Sequence, residues 1–310
     1  MKKCKLIAIA VLIIVTITSC YKEGVYLPEK KIVAVSVATT TKIVQNYGQR
    51  SESTPVTVGP FRTEDWHWGK KLLESIDFLD TLGNIVEQAN FKYKGKHIVR
   101  IDNMSGDCYS EFTYDGKFYE KKVIGKIEWH KNGEVVTTVE LVRNDDGIVT
   151  QVEVTNTKDI ANDVIIKGIL SMVIPEPLIV EDIVCQNGLK GSGQSVTTVK
   201  FTWTGNNITQ MDQETSGGSS RTYTYTFDNK INPTKGLYEF SDGWGFDMLN
   251  ENNKLTSTYM YHDKSYTTTY EYDYVEDWPI MKTIKYTRVI NEYIEAQCID
   301  KVDYNYAIEE

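Results

Sequence analysis

The sequence predicts an all-β fold: a large curved antiparallel up-and-down meander, partly or fully closed like a barrel, with one helix packed on or in it. Three observations predict it. Aromatic-x-aromatic pairs recur along the chain, as in Phe91-Lys92-Tyr93, Phe112-Thr113-Tyr114, Phe201-Thr202-Trp203 and Tyr270-Glu271-Tyr272-Asp273-Tyr274. A Gly-, Asn- or Asp-containing turn follows most of them, such as Lys94-Gly95-Lys96 or Asp115-Gly116-Lys117. A short alternating apolar strand then resumes, such as His97-Ile98-Val99-Arg100-Ile101. Residues two apart point to one face of a sheet, so each aromatic pair lines one side. Asn-Gly and Asp-Gly accept the positive φ of tight hairpin turns. β-branched Thr and aromatic Tyr suit a pleated surface.

The elements follow in order. Lys2, Lys3 and Lys5 form a positive n-region, and Leu6 to Val15 an apolar stretch too short to span a bilayer. Ile17-Thr18-Ser19-Cys20 resembles the bacterial lipobox, in which the peptide is cut before the Cys and that Cys is acylated. The expected domains are a signal peptide over 1–19, a lipidated tether over 20–31 and a single β-domain over 32–310. Tyr21 rather than Asp after the Cys implies outer-membrane placement, and Lys22-Glu23 resembles the charged stretch that sends such lipoproteins to the cell surface. Loss of three Lys changes the formal charge from −9 to −9 − 3 = −12. An acidic chain is a poor partner for nucleic acid. The anchoring to membrane is expected to come through lipid, and two or more chains make it stable.

Lys31 to Val44 reads as a first strand, and polar Ser51 to Pro60 as a loop. Asp80-Thr81-Leu82, before Gly83-Asn84, reads as an exposed turn, and Asn144-Asp145-Asp146-Gly147 as a hairpin turn rather than a calcium loop. Ile160-Ala161, Val164-Ile165, Gly168-Ile169 and Met172-Val173 recur at helical spacing, ended by Pro175 and Pro177. This is the one expected helix; two strands are the alternative.

The aromatic hairpins, the run Asn229-Lys230-Ile231-Asn232-Pro233-Thr234-Lys235-Gly236, Tyr272-Asp273 before Trp278-Pro279, and the opening Leu27-Pro28-Glu29-Lys30-Lys31-Ile32 share one resemblance. They resemble Bacteroides-type lipoproteins carrying a domain of unknown function described as a porin-like fold. The resemblance covers Lys31 to the C-terminus. It implies a large meandering sheet and carries no activity and no catalytic residues. Thr234 departs from the aromatic that commonly follows Pro in that run. A lipid-spanning barrel is not expected, because alternate strand positions carry Thr, Lys, Glu and Asp, and the chain ends Ile308-Glu309-Glu310.

Chemistry is sparse in the sequence. His67, His97, His130 and His262 lie in unrelated hairpins and read as surface residues. Cys108, Cys185 and Cys298 read as separate small apolar residues, at most one pair of which can bridge. No metalloprotease, P-loop or nucleophile-elbow motif occurs, so no catalytic residue, metal or cofactor is expected. The candidate ligand site is Asp242, Trp244, Asp247 and Tyr261. Gly243 and Gly245 free the indole of Trp244, an amphipathic ring suits a sugar face, and the acids accept hydroxyl hydrogen bonds. The alternative role for Trp244 is a core plug. The expected function is a monomeric binding or envelope-interaction module for a glycan or envelope protein. The alternative is a lipid-anchored glycoside or other hydrolase.

Overall fold

The computed structural model describes residues 25–45, 51–52, 56–116, 123–156, 195–216, 220–237, 246–261, 264–291 and 294–307. In chain order the strands are β1 (Ile32–Gln45), β2 (Ser51–Glu52), β3 (Val56–Trp68), β4 (Leu73–Leu79), β5 (Ile85–Lys94), β6 (His97–Asp102), β7 (Cys108–Asp115), β8 (Val123–Lys131), β9 (Glu134–Arg143), β10 (Val149–Asn156), β11 (Ser195–Thr204), β12 (Asn207–Thr215), β13 (Ser220–Ile231), β14 (Asn252–Tyr261), β15 (Lys264–Val275), β16 (Trp278–Asn291) and β17 (Ile294–Tyr306).

Each strand from β3 onward pairs antiparallel with the next, and β1 pairs with both β3 and β17. The sheet is therefore a closed up-and-down barrel. β2 and β3 both lie against β1, so the 17 strands occupy sixteen positions around the ring. Closure joins the two ends of the chain, with Ile32 opposite Tyr306 and Gln45 opposite Ile294. It leaves no edge strand in the ring to template aggregation.

The turns form where the sequence supplies positive φ. Asn132 (φ 52) and Gly133 (φ 80) occupy the two-residue turn between Lys131 and Glu134, a geometry that joins strands without splaying them. The Asn144 turn is a hairpin turn, its side-chain oxygen accepting the backbone N–H of Asp146 (3.1 Å) and Ile148 (3.0 Å). The loop expected over Ser51 to Pro60 is corrected. Residues 56–60 belong to β3, where Val37 faces Arg62 and Thr39 faces Val58, so Gly59-Pro60-Phe61 bulge opposite Ala38. A bulge tolerates Pro because it needs no N–H there. The expected helix over Ile160–Val173 lies outside the described residues. Among those described, the only helical element is a 3-10 turn, Phe246–Leu249.

The two faces of the wall differ in chemistry. Along β13, Arg221, Tyr223 and Tyr225 point inward while Thr222, Thr224 and Thr226 point outward. Along β10, inward Val152 and Val154 alternate with Gln151, Glu153 and Thr155. One buried apolar cluster runs round the inner wall, from Ile32 and Val35 through Ile76, Ile98, Ile127, Val152 and Phe201 to Ile284 and Val302. The outer wall is laced by hydroxyl pairs such as Thr226 with Thr256 (2.7 Å) and Thr258 with Thr267 (2.9 Å). It also carries ion pairs such as Lys230–Asp277 (2.7 Å) and Lys285–Glu271 (2.5 Å). At partly exposed positions these add little stability, and their value is solubility.

The repeated aromatic pairs have a common structural use. The last ring of a hairpin lies inside the barrel and donates from its polar tip to a carbonyl near the start of a neighbouring strand. Trp68 Nε1 bonds Ile32 O (2.6 Å), Tyr93 OH bonds Leu73 O (2.7 Å), and Tyr114 OH bonds Ile98 O (2.6 Å). Trp203 Nε1 bonds Val149 O (2.7 Å), Tyr272 OH bonds Lys254 O (3.0 Å), and Tyr306 OH bonds Pro279 O (2.8 Å). β9 ends without an aromatic, and Arg143 Nη2 takes the same part, bonding Ile124 O (2.7 Å). Register shifts at these hairpins, as between Lys92 and Tyr93, disturb the ladder near the carbonyls that accept the rings. The rings thus staple each hairpin to its neighbour around one end of the barrel.

Candidate functional site

The inner wall of β13 to β17 is lined by tyrosines, and one connection reaches into it. That connection is fixed by asparagines. Asn232 Nδ2 donates to the carbonyls of Asp247 (2.8 Å) and Asn250 (3.1 Å), while its side-chain oxygen accepts from Thr234 N (3.1 Å). Asn250 Oδ1 accepts Ile208 N (2.7 Å), and Asn253 Nδ2 donates to Ile231 O (2.9 Å). Asn207 and Asn252 bond reciprocally, at 2.9 and 3.0 Å. The Asn232-Pro233 run singled out in the sequence is therefore a knot. Its Pro233 carbonyl also receives Tyr26 OH (2.9 Å), whose ring packs against Trp66 and Trp68.

This knot aims the Phe246–Leu249 turn across the barrel. Phe246 meets Phe201 of β11 edge-on, centroids 4.8 Å apart. Asp247 Oδ1 lies 2.9 Å from Lys254 Nζ of β14. Lys254 lies over the rings of Tyr225 (4.9 Å) and Tyr270 (5.4 Å), and Lys282 of β16 over Tyr270 (5.0 Å). Such cation–π contacts offset part of the cost of holding ammonium groups inside.

The electrostatics follow from this enclosure. Burial works against the charge on Asp247, but Lys254 and Lys282 outweigh it and hold the carboxyl below the usual range. Yet 46% of the Asp247 side chain stays accessible, so the carboxylate faces solvent-accessible space within the wall. Asp300 of β17 shows the opposite effect: burial raises its carboxyl, with Thr39, Tyr286 and Lys282 acting partly against it. Its Oδ1 is buried with no hydrogen-bond partner among the described residues. Burial likewise pushes the phenols of Tyr272, Tyr286 and Tyr304 far up, so they stay neutral donors. The result is a track of two lysines and two aspartates on a tyrosine wall. It supplies donors, acceptors and ring faces together.

The sequence-expected residues fall differently. Asp247 lies inward, paired with Lys254: the turn that bears it is drawn inside by Asn232 and by Phe246 on Phe201. Asp242 and Trp244 lie outside the described residues. Tyr261 ends β14, where its backbone pairs with Lys264, and its side chain lies outside the described residues. Tyr259, two residues before it, is buried, stacked between Tyr223 (5.6 Å) and Tyr266 (5.3 Å). Lys254, Lys282 and Asp300 were missed. Lys282 and Asp300 stand at inward positions of alternating strands, and a charge in register with a Tyr face was the available signal.

Among the described residues, the histidines are not brought together. His67 pairs with Asp77 at 2.9 Å on the outer wall of β3 and β4, and His97 meets Tyr114 edge-on. His130 is buried rather than at the surface, because Tyr109 stacks on it at 4.4 Å. His262 and Cys185 lie outside the described residues. Cys108 and Cys298 are buried and not bridged to one another.

Among solved structures, the chain is similar to a porin-like protein from Bacteroides uniformis, with 13% identity, a TM-score of 0.48, and 92% of this chain and 100% of that one covered. It is also similar to a porin-like protein from Bacteroides vulgatus, with 10% identity, a TM-score of 0.40, and 86% and 97% covered. Both carry the porin-like description that the sequence resemblance implied. No family model matches the chain, and no curated protein matches it.

Proposed function

We propose that this chain is an outer-membrane lipoprotein, held by acylated Cys20, whose barrel stands in water and binds a ligand on its tyrosine-lined inner wall. The observation that carries this is the polarity of the wall. Strand positions facing outward hold Lys92, Arg100, Lys126, Lys200, Lys285 and Lys301 among scattered apolar residues such as Val142 and Ile299, while the buried apolar cluster lines the inside. A Lys or Arg against lipid costs up to about 2–4 kcal/mol at the bilayer centre, so six together oppose insertion by an amount on the order of 10 kcal/mol. The ligand class that suits the inner track is a glycan. Tyrosine faces take the apolar side of a sugar, and lysine and aspartate bond its hydroxyls. Glycan-array binding by the mature chain tests this. Loss of binding in Asp247→Asn and Lys282→Gln, with both variants still folded by circular dichroism, is the expected result; unchanged binding rejects the site.

The opposed behaviour of Asp247 and Asp300 is the feature that favours the alternative, a glycoside hydrolase. Two carboxyls whose environments push them apart can divide base and acid roles. Reducing ends released by the wild type and not by Asp300→Asn replace the binding reading with that one.

A further inference from the structure

We propose that the stapled end of the barrel rests on the membrane and that Lys70, Lys71, Lys94 and Lys96 engage anionic phosphate headgroups of its lipids. The proposal builds on the acylation of Cys20. Because the strands alternate in direction, the start of β1, the end of β17 and the β3–β4 and β5–β6 turns all lie at one end. The chain is already fixed to that end at Tyr26, through Pro233, Trp66 and Trp68. Five residues separate Cys20 from Tyr26, and the six steps of chain between them reach only about 20 Å when fully extended. An acylated Cys20 therefore holds this end close to the bilayer and turns the β4–β5 tip, with its exposed Leu82, away from it.

The rim there is locally basic on an acidic protein. Lys70 and Lys71 occupy the β3–β4 turn and Lys94 and Lys96 the β5–β6 turn, all four exposed. The two turns are neighbours, since β4 pairs with β5 and Tyr93 bonds Leu73. Lys31 joins them, its ammonium donating to Lys70 O (3.1 Å) and lying over the ring of Trp68 (5.3 Å). Glu29, Glu74 and Asp115 are acids beside this arc among the described residues. Across the rim, Glu276 and Asp277 are paired with Lys30 (2.9 Å) and Lys230 (2.7 Å). Acids farther along the barrel are screened beyond about 8 Å at physiological salt, so the rim's own charge decides what it meets.

The test uses the full mature chain from Cys20 onward, made without acylation, in flotation with lipid vesicles. Binding to phosphatidylglycerol-rich vesicles, absent on pure phosphatidylcholine and lost at high salt, is expected. Each lysine near an anionic surface contributes about 1 kcal/mol, so each replacement by Gln weakens binding about fivefold. Lys131→Glu, at the opposite end, leaves binding unchanged, and circular dichroism melting shows that the rim variants still fold. Equal binding to both vesicle types, no binding, or an equal loss in Lys131→Glu overturns the proposal. Fatty-acid labelling of the chain in cells reports separately on Cys20: absence of label sinks the anchor, whereas loss of vesicle binding alone sinks the rim.

Discussion

At the scale of single residues, Asp300 shows what burial does to a carboxyl without a full set of partners. Its acidity is weakened chiefly by burial, so the folded chain binds its proton more tightly than the unfolded chain does. Between the ordinary carboxyl range and that raised value, the folded state holds more protons. Stability from this site is therefore present at acid pH and falls as pH rises through that window. Asp247 has the opposite sign, its contribution present above the ordinary range and lost as pH falls. Asp300→Asn is expected to be more stable than wild type at neutral pH, with the difference shrinking toward acid pH, as read by urea unfolding at several pH values. A variant less stable at neutral pH contradicts this account. Neither carboxyl announced its setting in the sequence, where Asp247 reads only as an acceptor for a ligand's hydroxyls. The partners that decide it, Lys254 and Lys282, come from other strands.

At the scale of elements, the hairpin is the unit, and its terminal ring joins it to the next. The aromatic-x-aromatic pattern made the pairs and their shared face legible. It did not reveal the ring-tip hydrogen bonds, because the accepting carbonyls belong to other hairpins. Tyr114→Phe keeps the packing of the ring but leaves Ile98 O without its 2.6 Å donor. A carbonyl stranded in this way costs about 1–3 kcal/mol, which chemical denaturation resolves. Arg143→Met is expected to cost a similar amount by stranding Ile124 O, although no aromatic is involved. If both variants unfold like wild type, the staples contribute nothing measurable. The Pro60 bulge makes a related point: Gly-Pro read as a loop, while the long antiparallel pairing of β1 and β3 absorbs it.

At the scale of the whole molecule, closure and polarity act together. A closed ring with its apolar residues inside needs no lipid to satisfy its backbone or cover its core. The mature chain is expected to purify without detergent as a β-rich monomer and to conduct no ions in planar bilayers. A detergent requirement, or steady conductance, overturns the water-facing barrel. In cells, Cys20→Ala is expected to lose clickable fatty-acid label and membrane association, whereas equal label on both forms removes the anchor.

Most strand positions and turns, though not the start of β3 or the buried side of His130, were legible in the sequence alone. They depend on a period of two and on positive-φ turn residues, and both are local signals. Ring closure, the staples and the inward turn at Asp247 were decided only in the tertiary structure. Ile32 meets Tyr306, and Tyr26 meets Pro233, across most of the chain. Between residues so far apart no periodicity carries information. Their pairing waits on the curvature of sixteen neighbouring positions and on which side chains the wall brings within reach.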